Sequence, residues 1–94
     1  MLDPDLLRTF TAIVDTGGFT AAAEAIHKTQ SAVSLQMRRL EEAVGRPLFE
    51  KSGRGVKLTK DGERLLPHAR RILAAEREAL AAFAEPDAEG RVVI

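Results

Sequence analysis

The run from Lys28 to Gly45, KTQSAVSLQMRRLEEAVG, restricts the fold more than any other part of the chain. Val33, Met37, Leu40 and Val44 recur at steps of four, three and four, which places them in one stripe along an α-helix. An apolar stripe of that kind faces a core. At ~100° per residue the opposite face carries Ser31, Leu35, Arg38 and Glu42, with Ser34, Gln36 and Arg39 on its flanks. Small hydroxyls and amides thus stand at the N-terminal end and arginines come a turn later. A helix that enters a DNA major groove needs that order, with short polar groups at the tip for base edges and longer cations behind for phosphates. Gly45 supplies a left-handed stop.

Charge supports the same reading once it is located. The 94 residues hold 14 bases and 14 acids, a net charge of zero. From Lys28 to Lys60, however, eight bases (Lys28, Arg38, Arg39, Arg46, Lys51, Arg54, Lys57, Lys60) meet three acids (Glu41, Glu42, Glu50), a local +5. The flanking segments are acidic. Basic charge confined to one helix and the hairpin segment behind it is the footprint of a polyanion-binding face.

The same composition excludes other functions. Without cysteine there is no disulfide framework, thiol nucleophile or Cys-based zinc site. The acids are scattered, and His27 and His68 are far apart in sequence, so neither a metal site nor a nucleophile, base and acid set is expected. No phosphate-cradling glycine loop opens a helix. No cofactor and no enzyme activity are expected. No apolar run approaches the ~20 residues of a membrane span, and the start MLDPDLL lacks the regions of a signal peptide. A cytoplasmic protein with no membrane partner is expected.

Around the central helix the chain reads in order. Asp3, Pro4 and Asp5 give an N-cap, a first-position proline and a first-turn acid, opening a helix with Leu6, Phe10, Ile13 and Val14 on one side that stops at Gly17-Gly18. Thr20 then caps a short helix, AAAEAIH, and His27-Lys28-Thr29 turns into the central helix. Two helices joined in this way form a helix-turn-helix. After Gly45-Arg46-Pro47 the pattern becomes extended. Leu48 to Lys51 and Val56 to Leu58 flank the turn-rich tip Ser52-Gly53-Arg54-Gly55, a hairpin with bases at Lys51, Arg54 and Lys57. A basic hairpin directly behind a helix-turn-helix is a wing, suited to backbone or minor-groove contact.

Thr59 caps the longest helix, which runs to about Ala84 with Asp61 and Glu63 complementing its dipole. Gly62 lies in its first turn and Pro67 well inside, where a bend is expected. Gly62, Leu66, Ala69, Leu73, Glu76, Leu80 and Phe83 form a heptad seam interrupted at Glu76, widened by Leu65, Ile72 and Ala79. At 1.5 Å per residue this helix is roughly 37 Å long, more than a winged domain of its size can cover. Leu65, Leu66, Ala69, Ile72, Leu73, Leu80 and Phe83 are therefore expected to serve homodimerisation, and packing on the first helix is compatible with it, one edge of the seam lying on the domain and the other on a second copy. Residues 1–58 form the winged module, 59–85 the linker helix, and 86–94 a hinge and the expected start of a further domain, since Arg91-Val92-Val93-Ile94 reads as the beginning of a strand.

For several site residues two uses stay open. Thr29 or Gln30 must satisfy the first N–H groups of the central helix, and Gln30 and Ser31 can serve as caps, as base contacts, or as both. Ser34 has no packing duty in the stripe. Arg38 is either a phosphate contact or half of a solvated pair with Glu42. Lys28 and Thr29, in the turn, are positioned for DNA backbone contact. The competing function is a protein-interaction module, against which the +5 segment argues.

The segments LLRTFTAIVDTGGFTAAAEAI, TQSAVSLQMRRLEEAVGRPLFEK and VKLTKDGERLLPHARRIL, in this order and spacing, resemble the N-terminal DNA-binding module of LysR-type transcriptional regulators. The resemblance implies a mostly α, winged helix-turn-helix with a dimerising linker helix, followed by a hinge and an effector-binding domain of two α/β lobes. It implies homodimers or tetramers on double-stranded DNA, at an AT-rich interrupted dyad, answering to a small-molecule effector held in the C-terminal domain. By position the family's groove-facing residues fall on Gln30, Ser31, Ser34 and Leu35, with Arg54 as the wing contact. Leu35 departs from the long polar or basic side chain often found there and offers apolar contact, for example to a thymine methyl. Lys51 stands where arginine is usual, making a point-charge contact of a bidentate one.

Overall fold

The N-cap and hairpin signals translate into four helices and one two-stranded antiparallel sheet. The computed structural model describes residues 2–53 and 55–84. Its elements are α1 (Pro4–Thr16), α2 (Phe19–Ala25), α3 (Gln30–Val44), β1 (Phe49–Ser52), β2 (Gly55–Leu58) and α4 (Lys60–Ala84). This is the expected winged helix-turn-helix followed by a long helix. The hairpin-tip Arg54 and the expected hinge and strand over 86–94 lie outside the described residues.

The first helix starts and stops as its residues require. The Asp3 carboxylate accepts from the Asp5 N–H at 2.9 Å, Pro4 takes the first turn, and Gly17 ends the helix at φ 90° with its N–H donating to the Ile13 carbonyl. Leu7, Phe10 and Ile13 are buried. They meet Ala22 and Ala23 of α2, the α3 stripe of Val33, Met37 and Leu40, then Leu48, and Ala69 and Leu73 of α4. Val44, the fourth member of the stripe, is half-buried at the edge. The alanines of α2 bring it close to both α1 and α3.

The boundaries of α2 differ from the sequence expectation at both ends. Thr20 does not cap it: the N-cap is Gly18, in extended conformation, and the first helical bond runs from the Ala22 N–H to the Gly18 carbonyl. The left-handed Gly17 turns the chain early enough for the helix to begin at Phe19. At the other end it stops at Ala25 rather than at His27. The Lys28 N–H donates back to Ala23 and the His27 N–H to Glu24, the paired bonds of a Schellman stop, with His27 at φ 59° in the left-handed position glycine usually takes. An exposed non-glycine residue there costs ~1–2 kcal/mol, against ~0.5–1 kcal/mol of unfolded-state entropy that a glycine would add. His27→Gly is therefore expected to stabilise the fold by ~0.5–1 kcal/mol. Equilibrium urea unfolding would record a higher midpoint at unchanged slope, and a lower midpoint would contradict the strain argument.

In the wing, Phe49 pairs with Leu58, Glu50 with Lys57, Lys51 with Val56 and Ser52 with Gly55. Gly53 at φ 59° provides the positive φ that a two-residue hairpin connection needs. An aromatic contact seats this hairpin on the helices. The Phe49 ring lies 5.4 Å from Phe10 of α1 and 5.6 Å, edge-on, from Phe19 of α2.

Between wing and helices, Leu48 is a junction. Its N–H is bonded by the Glu41 carboxylate at 2.8 Å, and its carbonyl accepts from the Thr59 N–H at 3.0 Å. Thr59 also caps α4 as expected, accepting from the Gly62 N–H, while its hydroxyl donates to the Pro47 carbonyl.

From there α4 runs antiparallel to α1, pinned by Arg70–Asp15 at 3.0 Å and Arg8–Glu76 at 2.6 Å. This arrangement corrects two of the expected dimer residues. Ala69 (0 % exposed) and Leu73 (8 %) are committed to the chain's own core, because α1 lies along that half of the seam. Leu65 and Leu66 are half-buried, whereas Ile72, Leu80 and Phe83 are exposed. The alternative pairing of Arg38 with Glu42 is absent among the described residues. Both are exposed, where such a pair gains little over hydration.

Candidate nucleic-acid interface

Because the stripe on α3 is buried, its other side must face outward. The N-cap duty falls on Thr29, whose hydroxyl accepts from the Ala32 N–H at 3.0 Å. Gln30 and Ser31 are exposed and do not cap the helix. Ser34 is half-buried, Leu35 is 43 % exposed, and Arg38 projects a turn further on. Gln30, Ser31, Ser34, Leu35 and Arg38 together line one shallow depression along the helix.

That depression does not end at α3. Gln30 also borders a second concavity with Gly18, Thr20, Lys51 and Gly55, between the start of α2 and the wing. Ser34, Arg38 and Lys51 meet in a third, where α3 faces β1. One concave face therefore extends from the start of α3 to the wing. Thr20, exposed in it, reads from sequence only as a cap, so its place on this face comes from the fold alone. Lys51 reads as a wing base, and the fold brings it to Ser34 and Arg38.

Both signs of charge border this face, since Glu41 and Glu50 line the third concavity beside Arg38 and Lys51. Among the described residues, Arg38, Arg39 and Lys51 take part in no ion pair, and Lys57 only reaches Glu50 at 4.0 Å across the hairpin. The Glu41 carboxylate accepts from the Leu48 N–H. Unpaired guanidinium and ammonium groups around small hydroxyls suit a phosphate backbone with base edges between its strands. Among the described residues no cluster of His, Cys, Asp and Glu could hold a metal, and no helix is long and apolar enough to cross a membrane.

Lys28 is placed differently from the other candidates. Its ammonium lies 2.7 Å from Asp5 Oδ2 and 3.2 Å from Gln36 Oε1. Gln36 in turn donates to Asp5 Oδ2 at 2.6 Å and accepts from the Thr9 hydroxyl at 2.6 Å. The hydrogen bond from the Lys28 ammonium holds the Asp5 carboxyl below its ordinary value; loss of hydration opposes it as the next-largest effect, and the Gln36 amide and the Lys28 and Arg8 charges outweigh that opposition. A carboxyl with a lowered folded-state pKa stabilises the fold above its unfolded value, near 3.9, and that contribution is lost as pH falls through the folded value. Asp5→Asn is expected to lower the wild-type stability at pH 7 and to make the unfolding free energy fall less steeply below about pH 4. Parallel slopes for the two proteins in acid would contradict the pairing.

Comparison with known proteins gives one consistent answer. Residues 4–63 match the family of bacterial regulatory helix-turn-helix proteins of the lysR type. The transcriptional regulator DgdR of Burkholderia cepacia is 52% identical over 80 residues, covering 85% of this chain and 27% of that protein. The regulator PecT of Dickeya dadantii (strain 3937) is 48% identical over 93 residues, covering 99% and 29%. The chain thus spans under a third of the length of these curated relatives. Among solved structures, the CbnR DNA-binding domain in complex with DNA is 36% identical with a TM-score of 0.74, covering 86% of this chain and 99% of that one. The BenM DNA-binding domain with benA site 1 DNA is 31% identical with a TM-score of 0.79, covering 85% and 90%. With more than half of its residues inside the family match and the same winged architecture, the chain belongs to the lysR family of bacterial regulatory helix-turn-helix proteins.

Proposed function

We propose that this chain is the DNA-binding module of a transcriptional regulator, acting on double-stranded DNA as a homodimer at an interrupted dyad site. The observation that carries the reading is the concave face joining α3 to the wing, with Arg38 and Lys51 unpaired beside Ser31 and Ser34. In this reading Gln30, Ser31 and Ser34 meet base edges in the major groove, and Leu35 makes apolar contact with a thymine methyl. Arg38, Lys51 and the turn at Thr29 hold phosphates. Arg54, which the sequence pattern assigns to the hairpin tip, takes the adjacent minor groove. The module performs no catalytic step and uses no cofactor. In the whole protein, tetramer formation and a small-molecule effector belong to a C-terminal domain, and the regulator works in the cytoplasm.

In vitro selection from random duplexes at moderate salt tests this directly. Enrichment of an interrupted inverted repeat is the expected result. Sequence-blind binding that vanishes with salt would favour an interaction module instead. On the selected site, Arg38→Ala is expected to reduce the slope of log K against log salt by about 0.9, one phosphate's share, with base preference retained. Ser34→Ala should change which base is preferred and leave the slope alone.

A further inference from the structure

We infer that Lys28 is a positioning residue for α3 and not a DNA contact: with Asp5, Gln36 and Thr9 it forms a polar tie that sets the rotation of the groove-facing helix on α1. The inference rests on the proposed DNA-binding function and specifies how its recognition helix is held.

The apolar stripe of Val33, Met37 and Leu40 attaches α3 to the core, yet hydrophobic burial is non-directional and tolerates small rotations. A helix about 10 Å across moves its side-chain tips by about 1 Å for a 10° turn, enough to spoil a base contact. Directional bonds are needed to remove that freedom, and they are found on the flank of α3, away from the groove-facing residues. Gln36 bonds two points on α1, the Asp5 carboxylate and the Thr9 hydroxyl, and Thr9 is fully buried, its single hydroxyl proton committed to Gln36 at 2.6 Å with the Asp5 carbonyl as the longer alternative acceptor at 3.2 Å. Lys28 closes the figure from the turn, touching both Asp5 and Gln36. The residue after it, Thr29, is the N-cap of α3, so the tie fixes the helix at its entrance and at its second turn. The ammonium is at the same time matched to a carboxylate. Lys28 therefore adds no free charge to the surface that Arg38 and Lys51 make.

The sign of one substitution separates the two roles. Removing an acid from a DNA-binding module raises its positive charge, so by the field alone Asp5→Asn should tighten binding. If Asp5 and Lys28 position α3, Asp5→Asn should instead weaken affinity for the selected inverted repeat about tenfold, the factor belonging to one charge-assisted hydrogen bond. Lys28→Met should weaken it similarly with the salt slope unchanged, whereas loss of a phosphate contact would reduce the slope by about 0.9. Both variants are measured on the selected duplex, below their melting temperatures. Binding by Asp5→Asn as tight as wild type or tighter, or a slope reduced in Lys28→Met, overturns the inference. So does a lowered melting temperature with unchanged affinity, which is what a purely structural tie would give. Should Lys28→Met not fold, the isosteric Asp5→Asn decides alone. Failure of the wild type itself to select a site would reject the DNA-binding reading and is distinguishable from all of these.

Discussion

Gly62→Ala is expected to destabilise the fold by about 3 kcal/mol or more, although in an unpacked helix the same change would gain ~1 kcal/mol of propensity. A Cβ at Gly62 would overlap the carbonyl oxygen of Leu48 and come within 2.8 Å of Leu58 Cδ2 and 3.2 Å of the Leu48 carbonyl carbon. The leucine methyl can rotate away. The carbonyl cannot, because it accepts from the Thr59 N–H while the Leu48 N–H is held by Glu41 and its side chain is fully buried. Relief must come from lifting the first turn of α4 off the hairpin, which also breaks the Thr59 cap. For a domain whose total stability is ~5–15 kcal/mol, that is a large share, and it corresponds to a melting temperature lower by more than about 12 °C. Thermal and urea unfolding would measure it. A loss below 1 kcal/mol would mean that α4 is free to slide at this point.

Gly62 also marks where sequence reasoning stops. In the sequence it reads as a tolerated glycine in a first turn, since the carbonyl that excludes a side chain belongs to Leu48, fourteen positions earlier. The helices themselves are legible because their signals are local: Asp3 and Pro4 at one start, Thr59 at another, Gly17 and Gly45 at the stops, and the α3 stripe at helical spacing. The outward-facing set is legible for the same reason. A buried stripe fixes the opposite face, so Ser31, Leu35 and Arg38 have to be exposed once Val33, Met37 and Leu40 are not.

Features that require a partner from elsewhere in the chain escape such reading. Gln36 reads as one more polar residue near the outer face, and only the fold brings Thr9 and Asp5 to it. Lys28 reads as a cation next to a recognition helix, and its neutralising carboxylate is 23 positions away. Glu41 reads as one of three acids in a basic segment, and only the fold brings the Leu48 N–H to it. The discrepancy at α2 is different in kind. A threonine before an alanine run is a strong local cap signal, but the glycine pair ahead of it offers an earlier start, and Gly17 in the left-handed region takes it.

Leu80→Glu together with Phe83→Glu is expected to convert a homodimer into a monomer while leaving the winged fold intact. The two halves of α4 have different fates for a geometric reason. Its antiparallel course along α1 is tied at Asp15–Arg70 and again at Arg8–Glu76, after which α1 has only one turn left to offer. Residues 77–84 are all exposed, including Leu80 at 65 % and Phe83 at 67 %. In the proposed homodimer the apolar far end of this helix meets the same helix of a second copy, and two-fold symmetry then counts each side chain twice. Full burial of a leucine or phenylalanine is worth ~1.5–3 kcal/mol, and the exposed two-thirds of each of four side chains amounts to roughly 4–8 kcal/mol. The double substitution should therefore raise the dimer dissociation constant by roughly 10³ to 10⁶. Sedimentation equilibrium would read that change directly. The melting temperature, dependent on protein concentration in the wild type, should become independent of it. Because a half-site offers a monomer only half the contacts, affinity for an inverted repeat should fall to that of an isolated half-site in the same variant. A variant that stays dimeric would move the interface to the half-buried Leu65 and Leu66 with Ile72. The far end of α4 would then need a different partner to explain two large apolar side chains left in water.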